Sequence, residues 1–276
     1  MKYQDIQNLN SQDFKRFTGI QKSTFEMMLQ AWKEYLVGRS NAGRPTKLAK
    51  PEQLLVALQY WREYRTYFHI AQDWGIDEST VYRIVRRVET VLIQSGRFRI
   101  PGKKGLLKDG ENPDVILIDV TETPIERPKK NQKKYYSGKK KQHTIKCQVL
   151  AEQNSGKIIC LFFGKGAQHD FKLFKISQIQ IHPETESIQD SAYQGIKGYH
   201  FNSYIPRKKP KLGKLSSLEK EYNRELAKER IGIEHVNCRL KVFKIFAGRY
   251  RNRRRRSGLR CNLIAAIHNS EISLAS

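Results

Sequence analysis

The spacing of apolar residues changes once along the chain, and this change limits the folds that the sequence can adopt. Before residue 100, apolar residues recur every three to four positions, as in the segment FEMMLQAW, which is the repeat of amphipathic helices. After residue 113, apolar and β-branched residues form short unbroken runs such as VILIDV, which is typical of buried strands. The sequence therefore predicts a helical domain over residues 1–100, a linker over 101–113 and a mixed α/β (α+β) domain over 114–276.

A helix-turn-helix is predicted near the end of the helical domain. One short helix should end at Trp74, and Gly75 suits the left-handed conformation that a tight turn needs. Asp77 is a good N-cap for a second helix, which has an apolar stripe on one side. The arginines on the other side are Arg83, Arg86 and Arg87. Two interpretations stay open here: a recognition helix that places arginines in a DNA groove, or a helical hairpin with solvated arginines.

The net charge favours the DNA-binding interpretation. The chain has 52 Lys and Arg against 27 Asp and Glu, a formal net charge of +25, so a polyanion such as double-stranded DNA is the expected partner. No apolar stretch reaches the roughly 18 residues of a membrane span, and the first residues lack a secretory signal. We therefore expect a cytoplasmic, nucleoid-associated protein without a membrane partner, whose four cysteines are reduced.

The second domain is predicted to contain a mixed sheet flanked by helices. The segments VILIDVTETPI, HTIKCQVLAE and KIICLFFG read as a three-stranded antiparallel meander. A helix around HDFKLFK and a short strand ending in ESIQD should follow, and then further helices after residue 218. We expect Asp170 to be the N-cap of a helix that begins at Phe171.

Three acidic residues of this domain are candidates for a metal site. Asp119 follows an apolar run in a predicted strand, where an uncompensated carboxylate is costly, and Asp190 follows the next strand after the meander. Glu234 lies on a polar face of a predicted helix. The other polar residues of that face are Arg230, Asn237 and Lys241. Three such carboxylates suit two hard cations, Mg²⁺ or Mn²⁺, which act on a phosphodiester.

Each of the three residues also has a purely structural interpretation. Asp119 could end a strand at a turn, Asp190 could form an Asx-turn with the residues after it, and Glu234 could pair with Arg230. Residue type and spacing leave both interpretations open.

Longer segments of the chain resemble one known family. The matching segments are GRPTKL, EQLLVALQYWREYRTYFHIA, ILIDVTETPIERPKK, YYSGKKKQHTIKCQV, GKGAQHDFKLFK, DSAYQGI and KVFKIFAGRYRNRR. These segments, from about residue 40 to 270, are similar to the DDE transposases of the insertion-sequence-five family, the "DDE superfamily endonuclease" group with an N-terminal helix-turn-helix.

The resemblance implies a ribonuclease-H-like catalytic domain in which Asp119, Asp190 and Glu234 are the catalytic residues and bind two metal ions. It also implies that Arg230 and Lys241, four before and seven after the glutamate, contact DNA phosphate. One position departs from the family signature, since Ala227 stands where a tyrosine is usual, which leaves the subgroup open.

Two clusters of basic residues are further candidates for DNA contact. The first is a lysine-rich insert after the strand of Asp119, and the second is the segment RYRNRRRR. The residues assigned to DNA binding in them are Lys139, Lys140, Lys141, Arg251, Arg253 and Arg254. Tyr250 could stack on a base or belong to the core, and Gly43-Arg44-Pro45 is a weak candidate for a minor-groove arm.

The resulting hypothesis is a transposase that binds terminal inverted repeats, cleaves DNA and joins the freed 3′-hydroxyl to target DNA. Such an enzyme should act as a homodimer or higher oligomer, because two element ends must be joined together. A DNA-binding regulator without turnover and a nuclease of the same fold are the alternatives.

Overall fold

The computed structural model describes residues 3–37, 46–107 and 112–274. The proposed minor-groove arm at Gly43-Arg44-Pro45 lies outside these residues, as does part of the predicted linker. The chain divides into two compact units. A helical unit comprises Met1–Arg99, Leu240–Gly248 and Leu259–Ser276, and a sheet unit comprises Ile100–Arg239 and Arg249–Gly258.

The described residues form helices and strands in the following order. The helices are α1 Tyr3–Gln7, α2 Ser11–Thr18, α3 Lys22–Leu36, α4 Lys50–Glu63, α5 Tyr67–Trp74, α6 Glu78–Gln94, α7 Gln132–Tyr135, α8 Asp170–Ser177, α9 Ser217–Lys241, α10 Lys244–Ala247 and α11 Ser257–Ser273. The strands are β1 Val115–Pro124, β2 Tyr136–Ser137, β3 Gln142–Glu152, β4 Ile158–Lys165, β5 Glu186–Gln189 and β6 Ser203–Tyr204.

The predicted helix-turn-helix is present as α5 and α6. The hydroxyl of Thr66 caps α5 by accepting from the amide of His69, and Gly75 ends the helix with a φ of 60°. The apolar stripe of α6 is buried and its arginine side is exposed, as the periodicity predicts. Asp77 occupies the N-cap position, although its side chain makes no capping hydrogen bond.

The C-terminal helix belongs with the helical unit, whereas the sequence boundaries placed it in the catalytic domain. The middle of α11 is buried on all sides from Leu263 to His268, as expected for a helix that packs inside a domain. Its residue Arg260 is 3% exposed and donates to the carboxylate of Glu89 in α6, which is 0% exposed, at 2.6 Å. A buried guanidinium needs such a partner, so this pair helps to determine where α11 packs.

The sheet unit contains the predicted mixed sheet. Its strand order is β2-β3-β1-β5-β6, and β4 also pairs with β3. The pairs β1–β3 and β3–β4 are antiparallel, which confirms the predicted meander. The pairs β1–β5 and β5–β6 are parallel. Parallel strands end at the same edge of a sheet, so the residues that follow β5 lie beside the middle of β1.

The two faces of β1 contact different elements. Ile116 and Ile118 point into an apolar core that includes Phe174 of α8. Leu117 points to the opposite face, where a Cβ atom at Gly232 of α9 would lie 3.1 Å from its Cδ1 atom. Because side chains alternate along a strand, Asp119 shares the α9 face with Leu117.

The predicted linker is partly folded. Residues Lys103–Leu106 form a short 3-10 helix, and the side chain of Leu106 is 1% exposed within the core of the sheet unit. The amide of His182 donates to the carbonyl of Leu106 at 2.9 Å. This part of the predicted linker therefore belongs to the sheet unit.

Replacing Arg260 with alanine should destabilise the helical unit strongly. The substitution leaves the carboxylate of Glu89 buried without its cation, which typically costs about 3–5 kcal/mol of unfolding free energy. Urea denaturation of Arg260→Ala measures this cost, and Arg16→Ala on the exposed side of α2 is the control. A double variant, Glu89→Leu with Arg260→Met, should recover most of the loss. A loss below about 0.5 kcal/mol, as at ordinary surface sites, would contradict the importance of the pair.

Candidate active site and DNA-binding surfaces

The pairing of β1 with β5 places two predicted metal ligands side by side. The last residues in register are Ile118 of β1 and Gln189 of β5, so Asp119 and Asp190 are the next pair along the two strands. There β5 ends, while β1 continues to Pro124. Asp119 therefore lies in the middle of a strand, and the interpretation as a strand-end turn residue is wrong.

Asp119 is largely shielded from water. Burial raises the pKa of its carboxyl group above the usual value, and the nearby charges of Asp190 and Asp170 raise it further. A hydrogen bond from the backbone of Val120 and the charge of Arg230 oppose this increase in pKa. The carboxylate thus stands in a region of accumulated negative charge, which favours a bound cation.

Asp190 begins a turn as well as facing Asp119. Its Oδ1 atom accepts from the amide of Ala192 at 2.9 Å, at the start of the 3-10 turn Ser191–Tyr193. The Asx-turn interpretation is therefore confirmed. It is compatible with cation binding, because a carboxylate has about four lone-pair sites and this turn uses one of them.

Helix α9 directs polar side chains toward Asp119. The side-chain amide of Asn237 donates to Asp119 Oδ2 at 2.8 Å. The positive charge of Arg230 lowers the pKa of the same carboxyl group. Within the described residues, three buried atoms here lack hydrogen-bond partners: Thr121 Oγ1, Arg230 Nε and Asn237 Oδ1. An unsatisfied buried polar group typically costs about 1–3 kcal/mol, so a ligand that formed hydrogen bonds with these atoms would recover this cost.

Glu234 is on the same helix but does not join the two aspartates here. It lies one turn from both Arg230 and Asn237, and its side chain is exposed. Among the described residues, no three His, Cys, Asp or Glu side chains are grouped closely enough to hold a metal ion. The structure therefore brings together Asp119 and Asp190, and leaves Glu234 at the rim of the site. Lys241 is the last residue of α9 and is exposed.

The structure shows a buried lysine beside the site that was not among the predicted site residues. Lys146 of β3 is 7% exposed and donates to Asp170 Oδ1 at 2.6 Å, and its Nζ atom lies 3.9 Å from Glu122 Oε1. Thr144 donates to the other oxygen of Glu122 at 2.7 Å. The sequence feature that could have indicated this pair is a lysine within an apolar strand. The β1–β3 register places this lysine opposite Glu122.

The predicted role of Asp170 as an N-cap is wrong. His169 occupies the N-cap position of α8, and Asp170 is the first helical residue. Its carboxylate turns to Lys146 because a buried ammonium group needs a charged partner more than an exposed amide does. Asp170 still adds negative charge near Asp119.

The remaining basic candidates lie at the surface of both units. In the helical unit, Arg83 donates to Ser79 and Arg86 to the hydroxyl of Tyr82, and a groove of about 350 Å³ is bordered by Arg83 and Arg87. In the sheet unit, the lysines of the turn before β3 are exposed: Lys139, Lys140 and Lys141. Three arginines of the segment RYRNRRRR were assigned to DNA binding. Of these, Arg251 and Arg253 are exposed and Arg254 is half-buried.

Comparison with known proteins agrees with this arrangement. Residues 46–98 match the family model "Helix-turn-helix of DDE superfamily endonuclease", and residues 118–269 match "DDE superfamily endonuclease". The chain is 49% identical over 274 residues to "Probable transposase for insertion sequence element IS702" of Microchaete diplosiphon, with 99% of each chain covered. The chain belongs to the DDE transposase superfamily.

A second, less similar relative also aligns with most of the chain. "Putative transposase for insertion sequence element IS112" of Streptomyces albus G is 22% identical over 234 residues, and 83% of each chain is covered. The DDE match starts within β1 and includes all three predicted acidic residues, and the helix-turn-helix match includes α5 and α6. This DDE transposase thus has the predicted order of a helix-turn-helix region followed by an endonuclease region.

Two further features of the DDE transposase agree with its composition. None of its described helices combines the length and apolar character required to cross a bilayer. The four cysteines, Cys147, Cys160, Cys238 and Cys261, form no disulfide in this structure. Tyr250 is 1% exposed and its hydroxyl donates to the carbonyl of Arg255 at 2.6 Å, so the interpretation as a core residue is confirmed.

Asp119→Asn should stabilise the metal-free protein at neutral pH. Folding raises the pKa of the Asp119 carboxyl group. This group therefore stabilises the folded protein at a pH below its unfolded pKa of about 4, and the stabilisation is lost as the pH rises through the folded pKa. Asparagine cannot ionise and still accepts from Asn237. Urea denaturation with a chelator should therefore show a gain at pH 7 that shrinks as the pH falls toward about 4.

Asp114→Asn is the matched control, because Asp114 is an exposed carboxylate just before β1. Its unfolding free energy should change by less than about 0.5 kcal/mol. If Asp119→Asn proved less stable than the wild-type protein at pH 7 without metal, burial of an unfavourable charge at this site would be disproved.

Proposed function

We propose that this DDE transposase binds the terminal inverted repeats of its own insertion sequence, cleaves the DNA at the element ends and transfers the 3′-hydroxyl ends into target DNA. The observation on which the proposal depends is the side-by-side position of Asp119 and Asp190 beyond the end of β5. Two carboxylates in a half-buried position repel each other unless a cation lies between or beside them. Membership of the DDE endonuclease family supports a phosphodiester as the substrate.

The oxygen-rich donor set fits Mg²⁺ or Mn²⁺. We propose that Asp119, Asp190 and Glu234 hold two such ions, and that the exposed side chain of Glu234 turns toward the aspartates when metal and DNA bind. Carboxylate oxygens are the ligands that hard divalent cations prefer. Bound ions in such sites activate the attacking oxygen and stabilise the leaving oxygen of a displacement at phosphorus.

The surrounding side chains orient the reactants. Asn237 donates to Oδ2 of Asp119, and we propose that the remaining lone pairs of this carboxylate bind a cation. The guanidinium group of Arg230 has an unsatisfied buried Nε atom next to this carboxylate, and we propose that it donates to a DNA phosphate. Lys141 and Lys241 are exposed cations for which we propose the same kind of partner.

The two units carry different sets of basic residues, for which we propose different roles in DNA binding. We propose that Arg83, Arg86 and Arg87 of α6 read base edges in the major groove, while the basic residues of the sheet unit contact the DNA backbone. Those residues are Lys139, Lys140, Lys141, Arg251, Arg253 and Arg254. Because two element ends must be joined together, we propose that the protein acts as a homodimer or a higher oligomer, on nucleoid DNA in the cytoplasm.

Asp119→Asn should abolish DNA cleavage and leave DNA binding intact. Loss of a metal ligand removes several kcal/mol of transition-state stabilisation, which corresponds to at least about a thousand-fold in rate. Nicking of a labelled inverted-repeat duplex in Mg²⁺ and in Mn²⁺ measures the rate, and a gel-shift assay of the same duplex measures binding.

Asp114→Asn again provides the control and should cleave at the wild-type rate. Cleavage by Asp119→Asn at a rate near that of the wild-type protein would disprove the assignment of Asp119. Binding by the wild-type protein without cleavage in either metal would favour a DNA-binding regulator instead.

Arg87→Ala should weaken sequence-specific binding. A base contact by arginine typically contributes about 1–3 kcal/mol of discrimination, so affinity for the inverted repeat should fall about ten-fold. Affinity for a scrambled duplex of the same length should change little. Competition gel shifts at one fixed salt concentration measure both affinities.

Arg16→Ala, an exposed arginine of α2 outside the helix-turn-helix, is the matched control. If Arg87→Ala reduced the affinities for both duplexes equally, Arg87 would contact phosphate rather than bases, and α6 would not be the reading helix at that position.

A further inference from the structure

A second cavity, of about 520 Å³, lies in the sheet unit beyond the end of β1. Its walls come from residues 125–131, which follow β1, and from the arginine segment after residue 249. Its basic lining residues are Arg127, Lys129, Lys130, Lys165, Arg253 and Arg254, against one acidic residue, Glu126. This excess of cations indicates an anionic ligand.

The cavity also contains a flat aromatic surface. The guanidinium group of Arg254 lies 4.3 Å from the centre of the Tyr135 ring, and both residues line the cavity and are half-buried. Guanidinium planes and aromatic rings are the surfaces on which unpaired bases stack in proteins that bind single strands. Cations beside an aromatic surface suit a ligand that has both a phosphate and a planar ring.

The walls of the cavity are attached to each other before any ligand binds. The amide of Tyr250 donates to the carbonyl of Pro124 at 2.8 Å, and Ile125 and Tyr250 form a parallel bridge. The Tyr250 ring is buried, and its hydroxyl holds the carbonyl of Arg255. The arginine segment is thereby fixed to the end of β1, so a ligand does not have to order it.

The backbone of the arginine segment is strained. Arg253, Arg254 and Arg256 have φ angles of 46°, 65° and 58°, and Asn131 on the opposite wall has a φ of 57°. Glycine adopts this left-handed conformation at little cost, whereas a side chain such as arginine does not. Strain that is kept in a segment of consecutive arginines indicates that the positions of their guanidinium groups are functional.

We propose that this cavity binds one unpaired nucleotide of a DNA strand. The base stacks on the surface formed by Tyr135 and Arg254, and the phosphates contact the lysines and arginines of the rim. The volume lies within the range of roughly 300–1,000 Å³ found for small-ligand pockets, so a single nucleotide fits and a duplex does not. The cavity therefore recognises DNA whose strands are locally separated.

The position of the cavity relates it to the proposed cleavage site. Asp119 and Pro124 are five residues apart on β1, roughly 17 Å at about 3.3 Å per residue. At a duplex rise of about 3.4 Å per nucleotide, this distance corresponds to about five nucleotides. The placement of the cavity relative to the cut phosphate rests on the proposed function, whereas nucleotide binding by the cavity does not. The unpaired nucleotide is then within about five positions of the cut phosphate.

The test compares two DNA probes with the full-length protein in a chelator, where no cleavage occurs. One probe is a blunt duplex, and the other is the same duplex with a short single-stranded extension that contains 2-aminopurine, placed on either strand in turn. The wild-type protein should bind the extended probe more tightly and quench the 2-aminopurine fluorescence, since quenching reports stacking.

Two variants remove the stacking surface. Tyr135→Leu removes the ring, and Arg254→Asn removes the guanidinium while asparagine tolerates the left-handed conformation at that position. Each should weaken binding of the extended probe by about ten-fold and relieve the quenching. The affinity for the blunt duplex should stay unchanged in Tyr135→Leu. In Arg254→Asn it should fall much less than the affinity for the extended probe, because only one backbone cation is lost. The matched controls are Tyr199→Leu, an exposed tyrosine near Lys175, and Arg224→Gln, an exposed arginine of α9.

The outcomes separate this inference from the proposed function. Absence of quenching with wild-type protein, or equal losses on both probes, would overturn the nucleotide site and leave the cleavage assays of Asp119→Asn unaffected. Selective loss with the extended probe would support it even if no cleavage were detected. Thermal melting checks folding, and Arg254→Asn provides the answer if Tyr135→Leu does not fold.

Discussion

The proposed chemistry of this DDE transposase depends on one parallel strand pairing. The register of β1 with β5 places Asp119 beside Asp190 at the point where the shorter strand ends. The longer strand continues past the end of β5, so its next residues have no strand partner on that side. A shift of this register by one residue would turn one aspartate to the other face of the sheet and separate the pair.

The site is held together at a cost in stability, in contrast to the buried ion pair of the helical unit. Around Asp119, the carboxyl pKa is raised by burial, and buried atoms of Thr121, Arg230 and Asn237 lack partners among the described residues. The pair of Glu89 and Arg260 in the helical unit is buried as deeply, yet each charge has its partner. Unsatisfied groups are expected where a ligand completes the structure, and satisfied ones where the role is to fix packing.

The large positive charge is distributed over surfaces with different geometries. The arginines of α6 project from a regular helix, which suits reading a groove, while the lysines before β3 are exposed in a turn, which suits contacts to phosphate. The arginine segment differs from both, because its strained backbone and its contact with Tyr135 form a concave surface. The roles proposed for these three basic surfaces are therefore different: sequence recognition, affinity for phosphate and binding of an unpaired nucleotide.

The sequence by itself determined the features that depend on neighbouring residues. The repeat of three to four residues gave the helices, Gly75 gave the turn of the helix-turn-helix, and apolar runs gave the meander. The motifs around the acidic residues also gave the family. These features could be predicted because each is decided within one turn of helix or one strand.

Only the tertiary structure decided what depends on residues far apart in the chain. Helix α11 joins the helical unit because Arg260 meets Glu89, and Asp170 turns from its own helix to Lys146. The position of Glu234 at the rim of the site also could not be predicted, since helical periodicity gives a face but not the depth at which that face is buried. Burial and charge pairing depend on how distant segments pack in the folded protein, so local sequence patterns do not predict them.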